Sequence, residues 1–109
     1  MVFSLGIALA TTHELFHKDS LILLLIGYSN LVIFQFTVYP IEHVYLHHKA
    51  VGTKEDPITC PKNKGVYSYT LNAFISAHKF VFKYDVIKFA ACMLANWIYV
   101  GILAYFSYK

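Results

Sequence analysis

The chain has 109 residues, of which 58% are apolar and 14% charged, and its net charge of +3 comes entirely from lysine. A soluble domain of this length leaves much of its surface in water and could not hide so many apolar side chains. A nucleic-acid reader would normally present clustered arginine, which this sequence lacks. The composition therefore favours a single small domain in a lipid bilayer and argues against both of those classes.

The N-terminal half of the sequence contains two apolar segments. Residues 1–12 are shorter than the about 20 residues that cross a bilayer. We expect them to form the second half of a transmembrane helix that ends within residues 1–18. Residues 20–41 are long enough to cross once, although Asn30 and Gln35 interrupt their apolar character.

The C-terminal half begins with a loop and ends with the clearest span. Residues 49–65 contain two prolines and two glycines, which predicts a loop. Residues 66–84 mix aromatic residues with lysines, as a helix or turn at a membrane surface does. Residues 86–106 form one apolar run, and Tyr108 and Lys109 follow it like an interface anchor. This run predicts a transmembrane helix.

Five of the six histidines fall into two short groups. His13 and His17 are four residues apart, so a helix places them on one face, one turn from each other. His43 and His47 repeat this spacing, and His48 adds a third imidazole beside them. Imidazole is a good ligand for iron, zinc and copper. Five imidazoles in two groups suit a site with more than one metal ion better than a single zinc.

Two other interpretations of the histidines need to be weighed. The segment from His13 to His17 matches the HExxH motif of zinc proteases. That motif needs a third ligand and a water-filled cleft, and it does not explain the second group. The histidines could also be polar residues at helix ends near lipid headgroups. Ionisable residues at membrane depth are costly, however, and indicate function by default. His78 has no partner at ligand spacing and is interpreted as an interfacial residue.

Both histidine groups lie in segments that resemble the membrane-bound alkane hydroxylases. HELFHK (13–18) resembles the first histidine box of that family. EHVYLHHKAVGTKEDP (42–57) resembles the second box and its tail, and the aromatic segment 65–69 resembles the one that follows. The resemblance extends over nearly the whole sequence. The residues that match the tail are Val51, Thr53, Asp56 and Pro57.

The resemblance implies an all-α fold of integral membrane helices with interfacial helices, a fragment of the desaturase-like membrane di-iron fold. Members of this superfamily act on alkyl or fatty-acyl chains as hydroxylases or desaturases. Alkane hydroxylases insert one oxygen atom of O2 into a terminal C–H bond, with electrons from rubredoxin. Glu14 and Glu42 are implied to orient ligating imidazoles, while Lys18 and Asp56 are implied to be structural or surface-facing. The implied iron ligands are His13, His17, His43, His47 and His48.

The sequence also departs from the family pattern. A later single histidine and a third box of the form HxxHH do not occur in it, so the implied di-iron ligand set is incomplete. Two hypotheses remain open. The chain is part of an enzyme, with the other ligands supplied by another membrane protein chain or by a remainder of the protein outside this sequence, or it is a non-catalytic accessory subunit of a larger membrane complex. The substrate, the choice between hydroxylation and desaturation, and the membrane (endoplasmic reticulum, mitochondrial or bacterial inner membrane) also stay open. A transporter is disfavoured because no internal repeat is visible.

A shared metal site constrains the segment between the two boxes. One crossing takes about 20 residues, so a full crossing by residues 20–41 would leave the boxes on opposite membrane faces. We therefore expect residues 20–48 to be an interfacial helix or a shallow re-entrant pair that carries the second box.

Overall fold

The computed structural model describes residues 2–109, with side chains from residue 6 onward. Every regular element in that range is helical, which confirms the predicted all-α class. The chain forms two compact units, one of residues up to 37 together with 91–109 and the other of residues 38–90. The helices are α1 (Val2–Phe16), α2 (Leu21–Ile33), α3 (Tyr39–Glu42), a π-helix (His43–His47), α4 (His48–Ala50), α5 (Val66–Tyr84) and α6 (Val86–Ser107).

In the first unit, α2 packs closely against the end of α1 at a glycine. A Cβ atom on Gly27 would lie 3.4 Å from the ring of Phe16 and 3.6 Å from the Cβ of Leu15. One polar contact joins the same two helices, because the Asn30 amide nitrogen lies 3.4 Å from the buried Thr12 hydroxyl. The missing side chain at Gly27 therefore sets how near the two helices approach.

Helix α2 ends in a tight turn at Gln35. The amide of Phe36 donates to the carbonyl of Leu31 at 2.8 Å, and the amide of Gln35 donates to Val32 at 3.1 Å. This is the Schellman pattern, and it places Gln35 in the left-handed region at φ 57°. Residues 20–41 are consequently not one continuous helix. Whether residues 20–48 lie in the interface remains a prediction.

Two reciprocal hydrogen bonds follow this turn in the first unit. The Thr37 hydroxyl donates to the Cys92 carbonyl at 3.1 Å, and the Cys92 thiol donates to the Thr37 carbonyl at 3.4 Å. Thr37 is 1% exposed, so both of its groups need these partners. The bonds fix the bend after α2 to the N-terminal part of α6.

In the second unit, α3, the π-helix and α4 run on without a break from residue 39 to residue 50. Pro40 lies in the first turn, where its missing N–H costs nothing. Helix α5 packs against α3 and buries Ala77 and Val81, which are four residues apart on one face. Residues 51–65 form a loop between these two packed parts, whereas residues 49 and 50 of the loop predicted at 49–65 belong to α4.

Helix α6 has the length and composition of a membrane span. Its 22 residues extend about 33 Å, which matches the hydrocarbon thickness of a bilayer. It has a mean hydropathy of 1.8 over its best window, and only 6% of that window is buried within the protein. Among the described helices it alone meets the criteria of length and hydropathy for a span. It covers the predicted span at 86–106.

Candidate metal centre

The first histidine pair lies at the end of α1. His13 is in its last turn and His17 follows directly after Phe16. Their Nε2 atoms are 3.2 Å apart and their ring centroids 4.6 Å apart. The spacing of four residues thus brings the two imidazoles together within one unit, as the sequence predicts.

Glu14 forms an ion pair with Lys18, four residues later. Its carboxylate lies 2.8 Å from the ammonium of Lys18, and both side chains are more than half exposed. The hydrogen bond and the charge of Lys18 hold the pKa of Glu14 below its usual value. An exposed ion pair of this kind contributes little to stability. The described ion pair of Glu14 is therefore with Lys18, and the predicted role of Glu14 in orienting an imidazole remains a proposal.

The second group lies on the π-helix, which changes how its three imidazoles are arranged. The amide of His48 donates to the carbonyl of His43, five residues earlier, as in a π-helix. The Nε2 atoms of these two residues are 3.0 Å apart, and their ring centroids are 4.4 Å apart. The ring of His47 stacks on His43 at 4.9 Å. All three imidazoles consequently lie on one side of the helix.

An α-helix would not give this arrangement. It turns about 100° per residue, so residues five apart point about 140° away from each other. A π-helix turns roughly 80° per residue, which leaves residues five apart within roughly 40°. The extra residue in the π turn is therefore what aligns His48 with His43. The α-helical spacing of the histidines in the sequence did not predict this π-helix.

Asp56 holds one of the imidazoles. Its Oδ2 lies 2.8 Å from Nδ1 of His47, and its side chain is fully buried. Burial raises the pKa of Asp56, but hydrogen bonds from Thr59, the Ile58 amide and His47 outweigh it and lower that pKa below its usual value. Of the two placements expected for Asp56, structural or surface-facing, its burial excludes the surface-facing one. The signal in the sequence was the segment Asp-Pro-x-Thr, because aspartate at a turn accepts from the amide two residues on.

Glu42 is the least satisfied group of the second unit. It is 0% exposed, and neither of its carboxylate oxygens has a hydrogen-bond partner among the described residues. Burial, together with the charge of Asp56, raises its pKa to about 8. The predicted contact of Glu42 with an imidazole is not among its described contacts. A buried carboxylate without a donor is costly, and a nearby cation would remove that cost.

These groups fit a transition metal ion. Two ligands at about 2.1 Å from one ion lie about 3.0 Å apart when the angle between them is near 90°. The Nε2 separations of 3.2 Å in the first unit and 3.0 Å in the second have this value. Imidazole donors select iron, zinc or copper over calcium and magnesium. Each unit therefore brings two imidazole nitrogens to a separation that suits two ligands of one metal ion.

The remaining histidine and the nearby cleft lie outside these pairs. Nδ1 of His78 is 2.8 Å from the carbonyl of Phe74, within α5. A partly open cleft of about 660 Å³ borders the loop after the second box. Its walls include Asp56, Thr59 and Tyr69. The cleft therefore borders the loop residue whose buried carboxylate bonds His47.

The described part of the chain is helical, has one candidate membrane span and brings histidines together in pairs. Two curated proteins are similar to it in sequence. Alkane 1-monooxygenase 1 of Alcanivorax borkumensis is 27% identical over 94% of this chain and 29% of its own length. Alkane 1-monooxygenase of Acinetobacter baylyi is 36% identical over 59% of this chain and 16% of its own length.

The chain thus spans less than a third of the length of either relative. No family model matches it. No solved structure matches it either. The similarity supports the predicted relationship to alkane hydroxylases, while the wider desaturase superfamily stays a prediction.

Proposed function

We propose that this chain supplies histidine ligands to the iron centre of a membrane-bound monooxygenase that acts on alkyl chains. The observation that carries the proposal is the close approach of Nε2 atoms in each unit, at 3.2 Å and 3.0 Å. The similarity to two alkane 1-monooxygenases supports it. The proposed ligands are His13, His17, His43, His47 and His48.

The reaction follows from the class of enzyme. One oxygen atom of O2 enters a C–H bond and the other leaves as water, which consumes two electrons and two protons. Iron held by these imidazoles would supply the activation of O2. The electrons would come from a donor of the rubredoxin type, and the substrate would reach the site from the lipid. Apolar side chains such as Phe16, Leu46 and Phe74 are candidates for the slot that holds the alkyl chain.

That both histidine pairs serve one di-iron centre is part of the proposal. The resemblance implies further ligands in a third box, which lies outside these 109 residues in the proposed enzyme. We place the protein in a membrane through α6, and a bacterial inner membrane fits the origin of both relatives. The relatives carry the names of enzymes, and no observation favours the accessory-subunit alternative.

Metal analysis tests this proposal directly. The chain is purified in lipid nanodiscs, loaded anaerobically with ferrous iron, and measured for iron and zinc by mass spectrometry. We expect stoichiometric iron that falls in both the His17→Ala and the His47→Ala variant. The matched control is His78→Ala, because His78 binds a carbonyl of its own helix and lies outside both boxes.

Two outcomes contradict the proposal. One is a wild-type chain that binds no iron under these conditions. The other is iron that stays bound when His17 and His47 are both replaced, since the metal would then be held elsewhere. Preferential binding of zinc over iron would favour the zinc interpretation of the first box.

A further inference from the structure

The loop after the second histidine box contains a buried carboxylate with three donors. Oδ2 of Asp56 accepts from Nδ1 of His47 at 2.8 Å and from the hydroxyl of Thr59. Oδ1 accepts from the amide of Ile58 at 3.0 Å. Each bond fixes the carboxylate further, and charge-assisted hydrogen bonds are roughly twice as strong as neutral ones. Asp56 is therefore held rigidly against one imidazole.

The loop is itself fastened at two further points. The amide of Gly52 donates to the Thr59 hydroxyl at 2.9 Å, which orients that hydroxyl toward Asp56. Gly52 has φ +80°, a backbone conformation that residues with a side chain rarely adopt. The Tyr69 hydroxyl donates to the carbonyl of Ile58 and so ties the loop to α5. The loop thus forms a latch (residues 52–59) around the Asp56 carboxylate.

We propose that Asp56 is a positioning residue that fixes the tautomer and ring orientation of His47 and leaves Nε2 directed to the metal. A carboxylate oxygen only accepts, so Nδ1 must carry the proton in the bond between them. The unprotonated Nε2 is then the nitrogen available as a ligand. Ligating histidines commonly have such a partner on their other nitrogen. The statement about the metal rests on the proposed function, whereas the statement about the tautomer does not.

A purely structural role for Asp56 makes a different prediction. If Asp56 only fastened the loop, the tautomer of His47 would not depend on it. The Asp56→Asn variant separates the two roles. Its Oδ1 can keep the Ile58 amide, while the amide group in place of Oδ2 donates to His47. His47 must then accept through Nδ1 and carry its proton on Nε2, the wrong nitrogen for a ligand.

Nitrogen NMR of the histidine rings measures this change without any metal. The full chain, labelled with ¹⁵N-histidine in lipid nanodiscs, should show Nδ1 of His47 protonated in the wild type. The proton should move to Nε2 in Asp56→Asn. The control is Asp85→Asn, the same chemical change at a carboxylate that bonds Lys88 and whose described contacts include no histidine. It should leave the His47 signal unchanged.

Chemical rescue provides a second arm. Asp56→Gly removes the carboxylate and opens its position to the bordering cleft of about 660 Å³. Added formate, a carboxylate small enough to enter, should restore the Nδ1–H tautomer in this variant. Chloride at the same ionic strength should not. A restored signal also shows that the variant is folded around His47.

Iron affinity links the tautomer to the metal. If the wild type binds iron, we expect Asp56→Asn to bind it roughly 10- to 100-fold more weakly. A wild-type chain that binds no iron would contradict the proposed function, and the NMR test of the His47 tautomer would still stand. The inference is overturned if Asp56→Asn keeps the proton on Nδ1 of His47. It is equally overturned if that variant moves the proton and binds iron as tightly as the wild type.

Discussion

Deleting one residue from the π-helix should leave the second histidine group aligned. The π-helix contains one residue more than an α-helix needs to bring His43 and His48 together. Val44 is 46% exposed, so it can be removed at small packing cost, and it is not one of the proposed ligands. The deletion turns His43 and His48 into residues four apart on a continuous α-helix.

The angles define the expected size of the effect. Residues five apart on a π-helix differ by roughly 40° in direction. Residues four apart on an α-helix also differ by about 40°. His47 changes by only about 20°, from roughly −40° to −60° relative to His43. The three imidazoles therefore stay within one face, and iron affinity should change by less than about tenfold.

An insertion at the same place should behave differently. One alanine added after Val44 puts His43 and His48 six residues apart, which is about 240° on an α-helix. Loss of a ligand in this way should exceed the roughly 10- to 100-fold effect of losing an outer partner. Iron titration and the His47 ring signals measure both variants, with Val44→Ala as the control for the side chain alone. Equal loss in the deletion and the insertion would refute the π-helical argument.

Three further predictions concern the backbone and the packing. Gly52→Ala should weaken the loop by about 1 kcal/mol or more because its φ is +80°, while Gly65→Ala, with φ −65°, should not, as hydrogen exchange of the loop amides will show. Thr37→Val should cost about 0.5–1.5 kcal/mol by removing the hydrogen bond that the buried Thr37 hydroxyl donates to the Cys92 carbonyl. Cys92→Ser keeps both donors, and thermal unfolding should rank it above Thr37→Val. Gln35→Gly should raise the unfolding midpoint by relieving a left-handed φ of 57°, and a lowered midpoint would contradict this.

The sequence predicted the parts of the site that depend on spacing within one helix. His13 and His17 are close because four residues make about one α-helical turn, and this needs no tertiary information. The span at α6 was visible for a similar reason, since length and apolar composition suffice to define it. Local geometry and composition were therefore enough for these elements.

The parts that the sequence did not reveal depend on departures from the regular helix and on loop closure. No clear pattern of residues predicts a π-helix. The sequence therefore placed His48 next to His47 but did not show that its imidazole lies on the same side of the helix as that of His43. Asp56 lies nine residues after His47 and reaches it only because the loop folds back, with Thr59 bonded to the same carboxylate. The isolation of the Glu42 carboxylate likewise follows from tertiary burial. Each of these features depends on the three-dimensional structure of the chain.

The reciprocal bonds between Thr37 and Cys92 have a topological consequence. They join residues that are 55 positions apart, and the whole second unit lies between them. The second histidine box thus lies in a long chain segment, and the two hydrogen bonds hold the residues before and after this segment together. Closing a loop of this length costs conformational entropy only once, and that cost grows slowly with length. Insertions at residues 60–65 would therefore add little to this entropic cost, whereas insertions within the π-helix would change the direction of its imidazoles.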